Sequence, residues 1–283
     1  METQRKAKIN MLYIHENNID TKIYNNYHGK RSELQEFKKK YYIPFRESAE
    51  SIDFFKSESP LLEFKKFADL LNQYYDDASY FSRIHDISHT SKFCSTILEE
   101  LSVYLFKDIP QISSGRLSIF NKGVYAGLKI NDDLSLGIIK KDVDFCIGKK
   151  VNMRIENQSP TTIIVPVISV EVKTYLDATM FGEVKSSSKT LKSATPNSKA
   201  YVLMGYKDLA DEHIISAKQD STLDEMFVLR ADKSEPIDYY ALYIYWTEIC
   251  NSIKNIVARQ SFYVPGRLLS QNDLYIQLKN EYE

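Results

Sequence analysis

Cysteine is scarce in this chain, and its placement excludes two kinds of architecture. The three cysteines, Cys94, Cys146 and Cys250, are widely spaced and form no CxxC pair. That spacing argues against a disulfide framework or a zinc finger and fits a reducing compartment. No apolar run approaches membrane-spanning length, and no signal-peptide pattern opens the chain. The expectation is a soluble, cytoplasmic protein with no membrane partner. Bulk charge is also missing, since 37 basic and 38 acidic side chains leave a net charge of −1. Any nucleic-acid surface must then be a local basic patch. Repeats and low-complexity tracts are absent. At 283 residues the chain makes one large domain or two small ones, ample for a core.

What is present concentrates between Lys140 and Lys173. In the run from Lys141 to Ile147, Val143, Phe145 and Ile147 alternate with polar or small residues, which predicts a strand with Asp142 and Asp144 on one face. The run from Thr162 to Lys173 is nearly continuous in Ile and Val, as in a buried central strand, with the well-paired part expected just after Pro166. At its end Glu171 and Lys173 share one face, while Ile168, Val170 and Val172 share the other. Side by side, two such strands converge two carboxylates and one ammonium.

Those groups suit one chemistry. Hard Mg²⁺ takes oxygen ligands at about 2.1 Å, and two carboxylates, a carbonyl and waters supply them. The metal lowers the pKa of its water and stabilises phosphoryl charge, while an ammonium orients or deprotonates the attacking water. The competing account is a structural salt bridge. Acid-x-Lys triplets recur at Asp20/Lys22, Glu36/Lys38, Glu63/Lys65 and Glu183/Lys185. Those lie in helical or loop-like stretches, where such a triplet is a solvated face. Glu171/Lys173 differs because it ends a hydrophobic β run, where an unpartnered charge is costly.

The arrangement resembles the PD-(D/E)XK nuclease superfamily, with Asp144 as first acid and Glu171-Val172-Lys173 as the (D/E)XK element. The strings Ile168 to Asp177, Thr179-Met180 and Leu223 to Arg230 are similar to subunits of BbvCI-like type II restriction endonucleases. The resemblance is most specific over Asp142 to Arg230 and weak before Arg83. Val143 stands where the superfamily name expects proline. The resemblance implies an α/β restriction-endonuclease-like fold, a mixed sheet flanked by helices. It implies Mg²⁺-dependent cleavage of one strand of double-stranded DNA at a short asymmetric site, and a second, related subunit in a heterodimer. Asp144 and Glu171 would bind the metal with the Val172 carbonyl, and Lys173 would act on the water. Members of this superfamily commonly carry a helix before the first catalytic strand, and an acid on it sometimes joins the metal site. Glu100, or Glu99, is the candidate here, against a solvated acidic pair.

The rest of the chain frames that centre. Residues 1–90 read as a mostly helical region with possible DNA or partner contacts. Residues 91–283 read as the nuclease core with a C-terminal helical extension. A helix capped by Ser32 is expected to end at Pro44, with Lys38-Lys39-Lys40-Tyr41-Tyr42 as either a phosphate- and base-contacting patch or a solvated helix end. Ser59-Pro60 starts a helix with an apolar stripe from Leu61 to Leu71. His85, His89 and Cys94 lack the further ligand that zinc needs, and Thr90 and Ser91 suit a helix entry. A helix over 91–107 is followed by a meander of strands at 116–120, 123–130 and 134–147, then a turn at Gly148-Lys149-Lys150 whose lysines are placed to reach a DNA backbone. Asn157-Gln158-Ser159-Pro160 reads as a loop.

After Lys173 a helix over 177–194 carries Lys185, Lys189 and Lys192 on one face, either a phosphate-neutralising stripe or an ordinary exposed face. A strand at 200–204 follows, and strand, helix, strand implies a right-handed parallel crossover. A polar loop is expected over 208–222 with His213 and Lys218, a strand at 226–229, and a long helix from Ser234 to Val257. Its excess of tyrosine and tryptophan is a candidate partner-docking surface. Arg259 to Arg267 forms another cation–aromatic patch. Two further readings compete: a DNA-binding subunit without catalysis, and an acid/base pair acting on a glycosidic bond, which leaves Lys173 unexplained.

Overall fold

The apolar run ending at Lys173 forms the spine of the molecule. The computed structural model describes residues 12–55, 59–88, 91–155, 159–219 and 222–262. Its strands are β1 (Ser118–Phe120), β2 (Val124–Ile130), β3 (Leu136–Lys141), β4 (Phe145–Met153), β5 (Thr161–Leu176), β6 (Lys199–Lys207) and β7 (Glu225–Val228). Five of them make one sheet in the order β1-β4-β5-β6-β7. The pairs β1/β4 and β4/β5 are antiparallel, while β5/β6 and β6/β7 are parallel, so the sheet is mixed as expected. The parallel β5/β6 pair is joined through helix α7 (Ala178–Ala194), whose entry is fixed by Asp177 accepting from the Met180 N–H at 2.8 Å.

Three β-region expectations need correction. The predicted strand over 134–147 is two strands. β3 pairs only with β2 as a separate hairpin, and β4 starts at Phe145 in the main sheet. Residues 142–144 are a break between them, so Asp142 and Asp144 do not share a strand face. Asp142 instead accepts from the Gly123 N–H (2.9 Å), and the Lys122 N–H donates to the Val143 carbonyl (2.9 Å), latching the hairpin to the break. Gly148 does not turn the chain. β4 runs through it, and a Cβ there would sit 2.6 Å from the Val165 carbonyl oxygen, an approach that glycine alone permits. Opposite it the register skips Val167, a β-bulge beside Pro166. β5 therefore pairs with β4 on both sides of Pro166, and only its pairing with β6 waits until Ile168.

Helices cover both faces. On one, α4 (Pro60–Ile84), α5 (Ser95–Phe106) and α9 (Tyr239–Phe262) bury Phe64, Leu98, Leu101, Phe106 and Tyr245 against Phe145, Ile147, Val170, Val172 and Leu203. On the other, α7 places Phe181 and Val184 against Leu176, Val202 and Met204. Each such side chain withdrawn from water contributes about 1.5–3 kcal/mol. The stretch expected as a polar loop holds helix α8 (Asp211–Gln219), and α9 begins at Tyr239 rather than Ser234, where Asp238 accepts from the Tyr240 N–H at 2.7 Å.

The N-terminal part is helical. It comprises α1 (Ile14–Tyr24), α2 (Arg31–Phe37) and α3 (Ile43–Ser51), and a short α6 (Pro110–Ser113) precedes β1. Pro44 does not end the helical path. A π-helical turn at Lys38–Tyr42 leads directly into α3, with Pro44 in its first turn, where a missing N–H is harmless. Ser32 lies inside α2 and does not cap it. The lysine–tyrosine patch likewise does not end a helix, although Lys39 and Lys40 are exposed. Lys38 pairs with Glu16 (3.0 Å) and Asp20 (2.6 Å), and Tyr42 is buried. The stripe of α4 buries Phe64, Phe67, Ala68 and Leu71, while Leu61 and Leu62 remain exposed. One apolar cluster runs from Ile19 through the sheet to Ile253. His89, Thr90, Asn157, Gln158 and the patch from Tyr263 to Arg267 lie outside the described residues.

Candidate active site

The register of β4 against β5, Phe145 opposite Val170, brings Asp144 alongside Glu171 just where β4 begins. Asp144 Oδ2 accepts from the Val172 N–H at 2.8 Å, which fixes the carboxylate without a side-chain cation. Val172 turns its side chain into the core, so it meets the site only through its backbone. Glu171 Oε1 accepts from Ser187 Oγ of α7 at 3.0 Å, and Glu171 Oε2 stands 3.8 Å from Lys173 Nζ. Both side chains are partly shielded, at 14% and 28% exposed. The structure thus brings together Asp144, Glu171 and Lys173.

Electrostatics define the character of the site. Burial first, then the neighbouring Asp144 charge, push the Glu171 carboxyl above its ordinary range, against the pull of Lys173, the Ser187 hydroxyl and Lys141. Glu99 of α5 belongs to the same field. Burial and then Asp144 raise it to about 7, opposed by Lys92, Lys173 and Lys122. Glu99 and Asp144 line one narrow cleft with Asn121 and Phe120. Two carboxyls raised by burial and by the same neighbouring Asp144 charge, offering only oxygen, are the donor chemistry a hard divalent cation relieves. Among the described residues no three His, Cys, Asp or Glu side chains gather closely enough to cage an ion unaided. An ion here would complete its shell with backbone, substrate and water oxygens, the pattern that magnesium favours.

Glu100 does not reach this centre, nor is it solvated. It is 1% exposed and turns the opposite way. Its Oε1 accepts from the Tyr42 (2.9 Å) and Tyr104 hydroxyls, and its Oε2 from the backbone N–H groups of His15 (2.8 Å) and Glu16 (3.2 Å). It is a buried tie between α5 and the N-terminal helices.

The lysines divide as well. Lys192 pairs with Asp224 Oδ2 at 2.7 Å, and Asp224 also holds Lys199 (2.6 Å) and the Ala200 N–H (2.9 Å), so Lys192 staples the end of α7 to the approach to β7. Lys185 lies over the Phe181 ring, and Lys189 and Lys149 are exposed. Of the zinc candidates, the His85 ring packs on Phe81 and the Cys94 thiol faces Ser79 and Ser82. Ser187, Lys122 and Lys141 escaped the sequence reading. Only Ser187 carried a signal, a polar residue on the inward stripe between Val184 and Leu191.

No curated protein matches the chain. Among solved structures, the fold is similar to a chain described as the native BbvCI A2B2 tetramer at low resolution. The TM-score is 0.66 at 17% sequence identity, covering 87% of this chain and 98% of that one. The profile of the Bpu10I restriction endonuclease family matches residues 91–248, more than half of the sequence, and includes Glu99, Asp144, Glu171, Lys173 and Ser187. The chain belongs to the Bpu10I restriction endonuclease family.

Proposed function

We propose that this chain is one of two catalytic subunits of a type II restriction endonuclease, hydrolysing one strand of double-stranded DNA at a short asymmetric site. It would act in the cytoplasm with a related second subunit that cuts the other strand. The observation that carries this reading is the convergence, at the β4/β5 junction, of Asp144 held by the Val172 N–H, Glu171, and Lys173 at 3.8 Å. The BbvCI structure is described as an A2B2 tetramer, which supports pairing with a second kind of subunit.

Asp144 and Glu171 would hold Mg²⁺, with the Val172 carbonyl as a further ligand. When bound, the ion supplies a lowered water pKa and charge stabilisation on the scissile phosphate. The chain's own groups do the rest. The Val172 N–H keeps Asp144 in one rotamer, and Ser187 does the same for Glu171. The Lys173 ammonium orients the attacking water and faces the phosphate oxygens. The water oxygen bonds to phosphorus and gives up a proton to solvent, the bond from phosphorus to the leaving sugar oxygen breaks, and solvent protonates that oxygen. Lys185, Lys189 and Lys149 would meet backbone phosphates. Lys192 is committed to Asp224 and is the weakest of the four lysines for that role.

The test is a supercoiled-plasmid assay in Mg²⁺ or EDTA with the partner subunit present. Mg²⁺-dependent cutting at a fixed sequence is expected. Glu171→Ala or Lys173→Ala should cut the rate of this chain's nick by 10²-fold or more, the scale of losing one transition-state-stabilising group, while the partner's nick persists. Survival of both nicks in both variants would reject the site. Binding at a fixed sequence without cleavage by the wild type would assign the chain a recognition role only.

A further inference from the structure

The geometry points to Ser187 as a positioning residue that fixes the Glu171 carboxylate and joins it to the lysine-bearing helix α7. This inference rests on the reading of Glu171 as a metal-holding carboxylate. Glu171 has a flexible side chain in the second half of β5, and its neighbouring ammonium, Lys173 Nζ, stands 3.8 Å away on Oε2, too far for a directional hydrogen bond. The directional contact is on the other oxygen, where Ser187 Oγ donates to Oε1 at 3.0 Å. Among the described side chains that is the hydrogen bond which selects the rotamer and leaves Oε2 turned towards the reacting centre.

Ser187 is suited to this by where it sits. It is 6% exposed, on the stripe of α7 that packs against the sheet with Val184 and Leu191. Both ends of its helix are held. Asp177 caps the start through the Met180 N–H, and the Lys192–Asp224 pair anchors the end. The hydroxyl is therefore presented by a rigid rod and not by a loop, as a positioning group requires. The same rod carries Lys185 and Lys189 on its outer side. A backbone phosphate engaging those lysines and the carboxylate on β5 are then linked through one hydrogen bond. Ser187 thereby ties substrate engagement to the placement of the metal-holding oxygen.

The test reads metal binding apart from cleavage. Mn²⁺ is titrated into the full chain bound to its DNA site, with free Mn²⁺ followed by electron paramagnetic resonance. Ser187→Ala and Ser187→Cys, which keep the helix and nearly the volume, are each expected to raise the Mn²⁺ midpoint about tenfold, the scale of one hydrogen bond to a charged group. The Mg²⁺ midpoint for cleavage should shift by the same factor, and Ser187→Thr should restore both. Unchanged midpoints in the alanine and cysteine variants would overturn the proposal, as would a shift in the alanine variant alone, which would mark a packing effect. Glu171→Gln separates the two layers of the argument. If it leaves Mn²⁺ binding intact, the reading of Glu171 itself fails. If it weakens binding while Ser187→Ala and Ser187→Cys do not, only the role of Ser187 fails.

Discussion

Glu99 and Glu100 are consecutive residues on one helix, and burial drives both carboxyls to about 7. What surrounds them differs in kind. Glu100 is met by four hydrogen-bond donors from Tyr42, Tyr104 and the His15 and Glu16 backbone, with no cation bonded to it. Glu99 faces the Asp144 charge and sits in the field of Lys92, Lys122 and Lys173. The first environment is satisfied as it stands. The second is a cluster of carboxylates whose balance improves when a cation enters it. That contrast separates a carboxylate closed by its partners from one left open: donors close a site, and unbalanced like charges leave it open for a ligand.

The comparison can be broken most forcefully at Glu100. Glu100→Ala strands two tyrosine hydroxyls and two backbone N–H groups in the interior, and should lower unfolding stability by about 3–5 kcal/mol. Thermal or urea melts of the subunit would show this directly. A variant as stable as the wild type would mean that the tie between α5 and the N-terminal helices is dispensable.

A pH series sharpens the same point. The Glu100 carboxyl is raised from its ordinary value of 4.5 to about 7, so the folded state holds a proton that the unfolded state has released between those values. Its contribution to stability is therefore full below about 4.5 and is lost as pH rises through about 7, a change on the order of 3 kcal/mol at most. His15 works the opposite way. Buried between Tyr74 and Thr96, it is lowered from 6.5 to about 3, so its contribution grows as pH rises from about 3 to 6.5. The two oppose each other between 4.5 and 6.5. Glu100→Gln should uncover the rising limb of His15, seen as a wild-type minus variant stability difference that falls with pH across that window. A flat difference would contradict the buried, proton-holding state of Glu100.

The smallest effect belongs to Glu99. Glu99→Gln keeps the shape and removes one negative charge beside Asp144, so the melting temperature should hold or rise slightly. The nicking rate at limiting Mg²⁺ should fall about tenfold, the scale of about 1.4 kcal/mol. Unchanged cleavage with unchanged Mg²⁺ dependence would remove Glu99 from the site and leave it a half-buried bystander.

Much of this was legible in the residue order. Glu171 and Lys173 were separable from the other acid-x-Lys triplets because they end an Ile- and Val-rich run, where charge without purpose is costly. The parallel crossover through α7 followed from the order strand, helix, strand. The split of β3 from β4 was not legible, because the alternation of Val143, Phe145 and Ile147 reads as one strand. Yet Val143 packs with Val124 and Cys146 on the hairpin side, while Phe145 and Ile147 enter the main core. Gly148 and Pro166 read as interruptions, and became a bulge only because two strands met there and accommodated both.

The sequence by itself determined the composition of the candidate site: which acid and which lysine close an Ile- and Val-rich run, a matter of local pattern and the cost of burying charge. Tertiary structure alone decided which neighbouring acid faces the site and which faces inward. Glu99 and Glu100 differ by one step of a helix, about 100° of rotation. Their surroundings were set by partners as distant in the chain as His15, Tyr42 and Asp144. Long-range packing of α5 between the N-terminal helices and the sheet made one a tie and left the other beside Asp144.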